Sequence, residues 1–201
     1  MIRHDGGVQN PAPAEHLILP ELQQRWSPII FSGKSVPAEL LDRLFEAARW
    51  APSSSNEQPW SFVTATAGEP ELFARLADCL HAGNAWAKEA PVLALSVARL
   101  TLAGSTKPNR YAFHDTGMAV GGILAQATAE GLFVHQMGGF DVEKARHGLG
   151  VPEGHDPVAM MAIGYYGDQA QAAAGLRDRE TRPRARKRLE EFVFRGSWGK
   201  A

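Results

Sequence analysis

A short loop rich in hydroxyl and amide side chains offers the most specific chemistry in this sequence. The segment APSSSNEQPW, residues 51–60, places three serines, an asparagine and a glutamine between two prolines that restrict the backbone. Hydroxyl and amide groups both donate and accept hydrogen bonds, which suits a flat polar heterocycle carrying N–H, C=O and ring-nitrogen groups. The same residue types are common in solvated turns, and on composition alone an ordinary turn is favoured.

Two other groups contain residue types that bind phosphate. Arg25 and Ser27 flank Trp26, so a guanidinium and a hydroxyl can converge on one phosphate group. Near the other end of the chain, Arg184 and Arg186 alternate and would point the same way in an extended backbone. The alternatives are a surface arginine beside a buried tryptophan, and a solvated charge run or nucleic-acid patch in the tail.

The segment Met137-Gly138-Gly139 follows a predicted strand, and its glycines would let a backbone N–H approach a ligand closely; a tight turn fits equally well. Patterns for other chemistries are missing from the sequence. It has no HExxH, no GxSxG, no GxGxxG and no P-loop, and Cys79 has no second cysteine to pair with. His114 beside Asp115 favours a packed, hydrogen-bonded histidine over acid–base catalysis. Chemistry carried by a bound cofactor is therefore expected.

Bulk composition narrows the class of protein. The 201 residues fit one domain, which we place at 21–201 after an extension at 1–20 with little structure of its own. A net charge of -1 argues against a general polyanion binder, so no nucleic-acid partner is expected. There is no signal-peptide pattern and no apolar run of about 20 residues, so we expect a cytoplasmic protein without a membrane partner.

Hydrophobic periodicity predicts interleaved helices and strands. The predicted helices cover residues 36–50, 70–80, 111–130 and 142–149. The predicted strands cover residues 61–66, 91–98, 131–137 and 157–168, with 91–98 in the centre of the sheet because it is continuously apolar. The last residues of the tail, before Phe194, alternate like an edge strand.

Taken in order, five segments resemble the nitroreductase family of FMN enzymes. They are RWSPIIF, AARWAPSSSNEQPWSF, GNAWAKEAPVLALSV, HDTGMAVGGILAQATAEGLFVHQMGGFD and RPRARKRLEEFVF, and they run from about Arg25 to Phe194. The resemblance implies an α+β, three-layer fold with a mostly antiparallel sheet flanked by helices, in an interlocked homodimer. The helix containing Gly117 to Gly122 would lie at the subunit interface.

The resemblance also implies which residues bind FMN. Arg25 and Ser27 would bind its phosphate, with Trp26 in backbone or stacking contact, and Arg184 and Arg186 would close over that phosphate. The loop residues Pro52, Ser53, Ser54, Ser55, Asn56 and Gln58 would reach the flavin, some of them from the partner subunit. Asn84 would contact the flavin from the next helix. Met137, Gly138 and Gly139 would lie against the isoalloxazine ring near N5.

This sequence departs from the family pattern at one position. A basic residue two places after Ser27, near the flavin N1–C2=O edge, is usual, and here Ile29 stands there. A cation at that edge stabilises the negative charge of reduced flavin, so backbone N–H groups or another cation must serve, or the reduction potential is lower. The sequence does not tell whether Lys34 or any other lysine fills this gap.

The implied activity is hydride transfer from NADH or NADPH through flavin N5 to a small planar oxidant, a nitroaromatic or a quinone, by a ping-pong mechanism with no catalytic side chain. Three alternatives remain: a flavin enzyme acting on one particular metabolite, a non-catalytic flavin-binding protein, and a flavin-free protein that binds nucleic acid through its basic tail.

Overall fold

A four-stranded antiparallel sheet organises the chain in the computed structural model, which describes residues 10–200. The strands are β1 (Trp60–Thr66), β2 (Val92–Arg99), β3 (Phe133–Met137) and β4 (His155–Gly164). Their order across the sheet is β1-β2-β4-β3, with every neighbouring pair antiparallel. The predicted α+β class with a mostly antiparallel sheet is confirmed, and the continuously apolar segment is a central strand.

Six α-helices surround the sheet. They are α1 (Pro20–Gln24), α2 (Ala38–Arg49), α3 (Pro70–Ala77), α4 (Ala112–Ala129), α5 (Val142–Gly148) and α6 (Ala174–Glu180). Short 3-10 turns cover Ser54–Asn56, Ala82–Glu89 and Leu189–Glu191. The four predicted helices are confirmed, and α1 and α6 are additional. Residues 10–19 carry no helix or strand, and the rest of the predicted N-terminal extension lies outside the described residues.

The three layers follow from the period-2 alternation of the central strands. On β2, Leu93 and Leu95 face one apolar cluster, which also contains residues of α3 and α5. Val92 and Ala94 face the opposite cluster, which is built with α2 and α4. Successive strand residues point to opposite faces, so a strand buried on both sides reads as an uninterrupted apolar run.

Helices α2 and α4 approach closely because of one glycine. A Cβ on Gly122 would lie 2.7 Å from the backbone oxygen of Ala47, which is too close to be tolerated without movement. Gly117 and Gly121 on the same helix have nothing within 4 Å of such a Cβ. Gly122 therefore serves packing inside the chain, whereas Gly117 and Gly121 leave an open helix surface.

The predicted edge strand in the tail is wrong. Residues 182–194 contain no strand, and their regular structure is the 3-10 turn at residues 189–191. Two glutamates explain the turn: Oε2 of Glu191 accepts a bond from the backbone N–H of Arg188 at 2.6 Å, and Glu190 pairs with the Arg188 guanidinium. These local bonds replace ladder pairing, so the alternating apolar residues do not join the sheet.

None of the described helices is long and apolar enough to cross a bilayer.

Candidate functional site

One pocket of about 280 Å³ brings together both ends of the described chain. From the N-terminal side it is lined by Asn10, Arg25, Trp26, Ser27 and Ile29. From the C-terminal side it is lined by Arg179, Glu180, Arg182, Arg184 and Arg186, and His135 of β3 also lines it. We call this the arginine pocket, since five guanidinium groups surround it.

In the segment before α2, the side chains of residues 25–27 alternate between more exposed and buried positions. This alternation orients Arg25 and Ser27, the two residues of types that bind phosphate. Trp26 is buried and packs edge-on against Phe133, with 5.9 Å between ring centroids, and also against Tyr166. Arg25 and Ser27, on either side of it, are more exposed, and the Arg25 guanidinium donates to the Ser27 hydroxyl at 3.2 Å. The tryptophan thus anchors the segment while its neighbours line the pocket.

Arg184 holds the two chain ends together. Its Nη2 donates to the backbone oxygen of Arg25 at 2.9 Å, and its Nη1 donates to the backbone oxygen of Asn10. Arg186 makes only a local bond, to the backbone oxygen of Ala185. Two of the five N–H donors of Arg184 are therefore used to hold the backbone.

The pocket is electrostatically uncompensated. Burial, followed by the charges of Arg184 and Arg186, lowers the pKa of Arg25 from its usual value. Burial and then the charge of Arg186 lower the pKa of Arg184. Arginine stays protonated despite such shifts, so the guanidinium groups repel one another until an anion binds between them. This donor set fits a phosphate monoester, which needs charged N–H donors and accepts a hydroxyl bond.

Glu180 is the one acidic residue of the pocket lining and fixes the position of Ile29. The carboxylate is buried, and its Oε2 accepts the backbone N–H of Ile29 at 2.9 Å. Burial raises the pKa of Glu180, against the opposing effect of that backbone bond. Burial and the nearby charge of Glu180 also raise the pKa of Tyr166.

His135 contributes an imidazole to the pocket wall. Its Nδ1 lies 2.8 Å from the backbone oxygen of Pro28, which can only accept, so Nδ1 carries a proton. Burial is the main cause that lowers the pKa of His135, and the charges of Arg179 and Arg25 lower it further. Backbone bonds to Pro28 and Ser27 oppose the shift.

The serine-rich loop forms a second group of candidate residues, and none of them lines the arginine pocket. Ser55, Asn56 and Gln58 have φ values of 52°, 56° and 45°, a left-handed conformation that is costly for residues other than glycine. The backbone N–H of Gln58 donates to the Ser53 hydroxyl at 3.0 Å. Pro52 and Ser54 precede the strained residues in this loop.

Two carboxylates hold the loop in this shape. Asp115 of α4 is buried, and its Oδ2 accepts the backbone N–H of Ser54 at 2.9 Å, while Oδ1 lies 2.8 Å from Nδ1 of His114. Oε2 of Glu57 bonds the Arg99 guanidinium and the backbone N–H of Ala103. The predicted hydrogen bond of His114 is confirmed, whereas its predicted packing is wrong, because the His114 side chain is 71% exposed.

Asn84 and the glycine segment form a third group. Nδ2 of Asn84 donates to the backbone oxygen of Gly139 at 2.9 Å, and a Cβ on Gly139 would lie 2.8 Å from that nitrogen. Gly138 has nothing within 4 Å of an added Cβ, and Met137 is buried in the core. Of the two glycines, only Gly139 lies close to another group, the amide of Asn84, which would have to move to make room for a Cβ.

Sequence reasoning missed Arg179, Glu180, Arg182 and His135. All four line the pocket. Arg182 begins the segment RPRARKRLEEFVF that identified Arg184, whereas Arg179 and Glu180 lie just before that segment. The one available signal was the density of arginines from residue 177 to 188, which continues upstream of the predicted pair. Within residues 10–200, no cluster of three or more histidine, cysteine or acidic side chains could hold a metal ion.

The fold and the pocket define an α+β protein built around a cation-lined cavity, and comparison with known proteins identifies its family. The model of the nitroreductase family matches residues 22–165. A crystal structure described as an oxidoreductase containing FMN superposes with a TM-score of 0.89 at 32% identity, covering 97% of this chain and 100% of that one. The chain therefore belongs to the nitroreductase family of oxidoreductases.

The chain is also similar in sequence to two further proteins. An uncharacterized 15.4 kDa protein of Mycolicibacterium smegmatis is 40% identical over 129 residues, which cover 64% of this chain and 86% of the relative. A protein of Methanothermobacter thermautotrophicus named "Putative NADH dehydrogenase/NAD(P)H nitroreductase" is 26% identical over 152 residues, covering 74% of this chain and 76% of the relative.

Replacing Asp115 tests its hold on the serine-rich loop. Asp115→Ala leaves the Ser54 N–H without its acceptor, so we expect the free energy of unfolding to fall by about 1–3 kcal/mol and proteolysis within residues 52–58 to accelerate. Urea denaturation and limited proteolysis measure the two effects. His114→Ala is the control, because that side chain is 71% exposed. Unchanged stability and cleavage in Asp115→Ala would contradict this role.

The raised pKa of Glu180 predicts a pH-dependent stability difference. Above the unfolded pKa of about 4.3, the folded state binds more protons at this site, so its contribution falls as pH rises through the folded pKa. Glu180→Gln keeps an acceptor for Ile29 without titrating. The unfolding free energy of the native chain minus that of Glu180→Gln should therefore decrease from pH 4 upward. A flat or rising difference argues against it, and Glu71→Gln at an exposed position of α3 is the control for the substitution itself.

Proposed function

We propose that this chain is an FMN-dependent oxidoreductase that passes hydride from NADH or NADPH to a small planar acceptor, such as a nitroaromatic or a quinone. The observation that carries the proposal is the convergence of Arg25 and Ser27 with Arg184 and Arg186 on one pocket. Membership of the nitroreductase family and the likeness to an FMN-containing oxidoreductase support the cofactor. The name of the Methanothermobacter thermautotrophicus relative supports the nicotinamide reductant.

In this proposal the protein binds and orients, and the cofactor supplies the reaction. When bound, FMN would supply two-electron redox chemistry, which a ping-pong reaction with two substrates requires. Arg25, Ser27 and Arg186 would hold the phosphate by charged and neutral hydrogen bonds. Asn84 and the backbone of Met137, Gly138 and Gly139 would lie beside the ring. No protein side chain forms or breaks a covalent bond.

A homodimer would complete the site. Pro52, Ser53, Ser54, Ser55, Asn56 and Gln58 do not line the arginine pocket of their own chain. Exposed apolar side chains lie on and beside α4, with Phe113 51% and Met118 44% exposed, next to the open Gly117 and Gly121. We propose that this surface meets its copy. Because Asp115 joins α4 to the loop, the same contact would carry the loop toward the partner's pocket.

The first test is the visible spectrum of the purified protein, followed by titration with FMN and with riboflavin. In Arg25→Gln, loss of a charged phosphate contact of about 1.5–3 kcal/mol should weaken FMN binding about 10- to 100-fold. Riboflavin lacks the phosphate, so its affinity should stay unchanged. Arg43→Gln, which removes an exposed arginine paired with Glu39, is the control. A colourless protein that does not bind FMN contradicts the proposal.

Anaerobic titration separates the alternatives. Bleaching by NADH or NADPH, then recovery of colour with a quinone or nitroaromatic, is expected for the proposed reaction. A specialised flavin enzyme for one metabolite would resist both nucleotides, and a non-catalytic flavin-binding protein would hold FMN with negligible turnover. The nucleic-acid alternative requires flavin-free protein that binds a polyanion in a salt-sensitive way. A cytoplasmic location agrees with a nicotinamide reductant.

If α4 forms the proposed interface, a charged residue placed there should lower the mass of the assembly in solution. A charge in an apolar contact cannot be buried unpaired, so Met118→Glu should convert a dimer to a monomer and weaken FMN binding as well. Light scattering after gel filtration measures the mass. Leu72→Glu is the matched control, since Leu72 is a similarly exposed residue (45%) on α3, away from this surface. A native chain that elutes as a monomer, or a dimeric Met118→Glu, contradicts the interface.

A further inference from the structure

The two groups that sequence reasoning offered as substitutes at the Ile29 position are used elsewhere. The backbone N–H of Ile29 already donates to Oε2 of Glu180, so it is not available to a ligand. The ammonium of Lys34 lies 4.3 Å from the ring centroid of Tyr165 and does not line the arginine pocket. Any further cation for the ligand must come from another element.

The Arg184 guanidinium also has fewer hydrogen-bond donors available to a ligand than its position in the sequence implies. Its guanidinium donates to the backbone oxygens of Asn10 and Arg25, so it fixes the two chain ends. A phosphate dianion has three terminal oxygens and is held best by several charged donors. With Arg184 acting as a clamp, Arg25 and Arg186 are the two predicted arginines whose donors are mostly free.

Arg179 is a further arginine whose guanidinium donors could face this pocket. It lies in the last turn of α6, one residue before the buried Glu180, and lines the pocket. Its charge lowers the pKa of His135, so the guanidinium lies near the pocket wall formed by β3. Within the described residues no hydrogen bond or ion pair engages this guanidinium. Arg177, two residues earlier, donates instead to the backbone oxygen of Ala170 at 3.2 Å.

The bond between Glu180 and Ile29 explains why Arg179 is held at this place. It joins residues 151 positions apart and fixes the end of α6 against the segment that carries Arg25 and Ser27. A long side chain beside such a fixed point keeps its head group near the pocket while remaining exposed on its outer side. The location is therefore set by a buried interaction and not by the flexible arginine itself.

We propose that Arg179 is an anion-binding residue of the arginine pocket, donating to the phosphate group together with Arg25 and Arg186. The inference rests on the proposed function only in that the ligand is a phosphate monoester. In this proposal Arg179 of α6 provides phosphate contacts that Arg184 provides only in part, because Arg184 also bonds two backbone oxygens. A rival role for Arg179, at the edge of the flavin ring where Ile29 stands, gives a different experimental result.

The test compares phosphate-bearing and phosphate-free ligands on the full chain. Arg179→Gln should weaken FMN binding about 10- to 100-fold and leave riboflavin affinity within about twofold, measured by quenching of flavin fluorescence. Arg179→Lys keeps the charge but not the bidentate geometry, so an intermediate loss is expected. Inorganic phosphate should compete with FMN less effectively in Arg179→Gln than in the native chain. Arg177→Gln is the matched control on the same helix.

Other outcomes overturn the inference. Equal weakening of FMN and riboflavin would place Arg179 at the ring, and unchanged FMN binding would make it a solvated surface charge. If Arg25→Gln loses its preference for FMN while Arg179→Gln does not, the role of Arg179 fails and the proposed function stands. If the native chain binds neither FMN nor inorganic phosphate, both fail. Thermal melting of each variant excludes misfolding as the cause.

Discussion

Repulsion among arginines from opposite ends of the chain is the constraint on which the pocket depends. Guanidinium groups drawn together in a partly buried space raise the energy of the folded chain unless backbone carbonyls, a carboxylate or a bound anion offset it. The chain supplies the first two: Arg184 bonds two carbonyls, and Glu180 fixes the backbone of Ile29. The remaining positive charge would favour a bound anion, so the arrangement that costs stability is also the one that the proposed phosphate ligand would relieve.

The sheet and its helices form a rigid scaffold that supports the pocket. β2 is buried on both faces and pairs with β1 and β4. The loops that leave these three strands therefore begin at fixed positions. The serine-rich loop between α2 and β1 contains residues in the left-handed conformation, and the partly buried hydrogen bond from Ser54 to Asp115 helps to offset their strain. Strain is thereby concentrated at the segment expected to meet a ligand, while the scaffold itself stays regular.

Much of the fold could be predicted from sequence, because uninterrupted apolar runs and helical periodicity report local burial directly. The edge strand in the tail was wrong because Glu190 and Glu191 make local bonds that alternation does not reveal. Short α6 lacked an apolar stripe to identify it. In the site, Arg25, Ser27, Arg184 and Arg186 do converge, whereas Glu180 and Arg179 could not be found, since their roles depend on partners about 150 positions away. Sequence spacing also gives no sign that the Lys34 ammonium lies over the ring of Tyr165.

The clamp formed by Arg184 has a consequence for synthesis of the chain. β4 ends at Gly164, so the whole sheet can assemble while the tail is still inside the ribosome. The pocket cannot form at that stage, because the Arg184 guanidinium, which follows the last strand in the chain, bonds the backbone oxygens of Asn10 and Arg25. The arginine pocket is therefore completed later than the sheet that supports it.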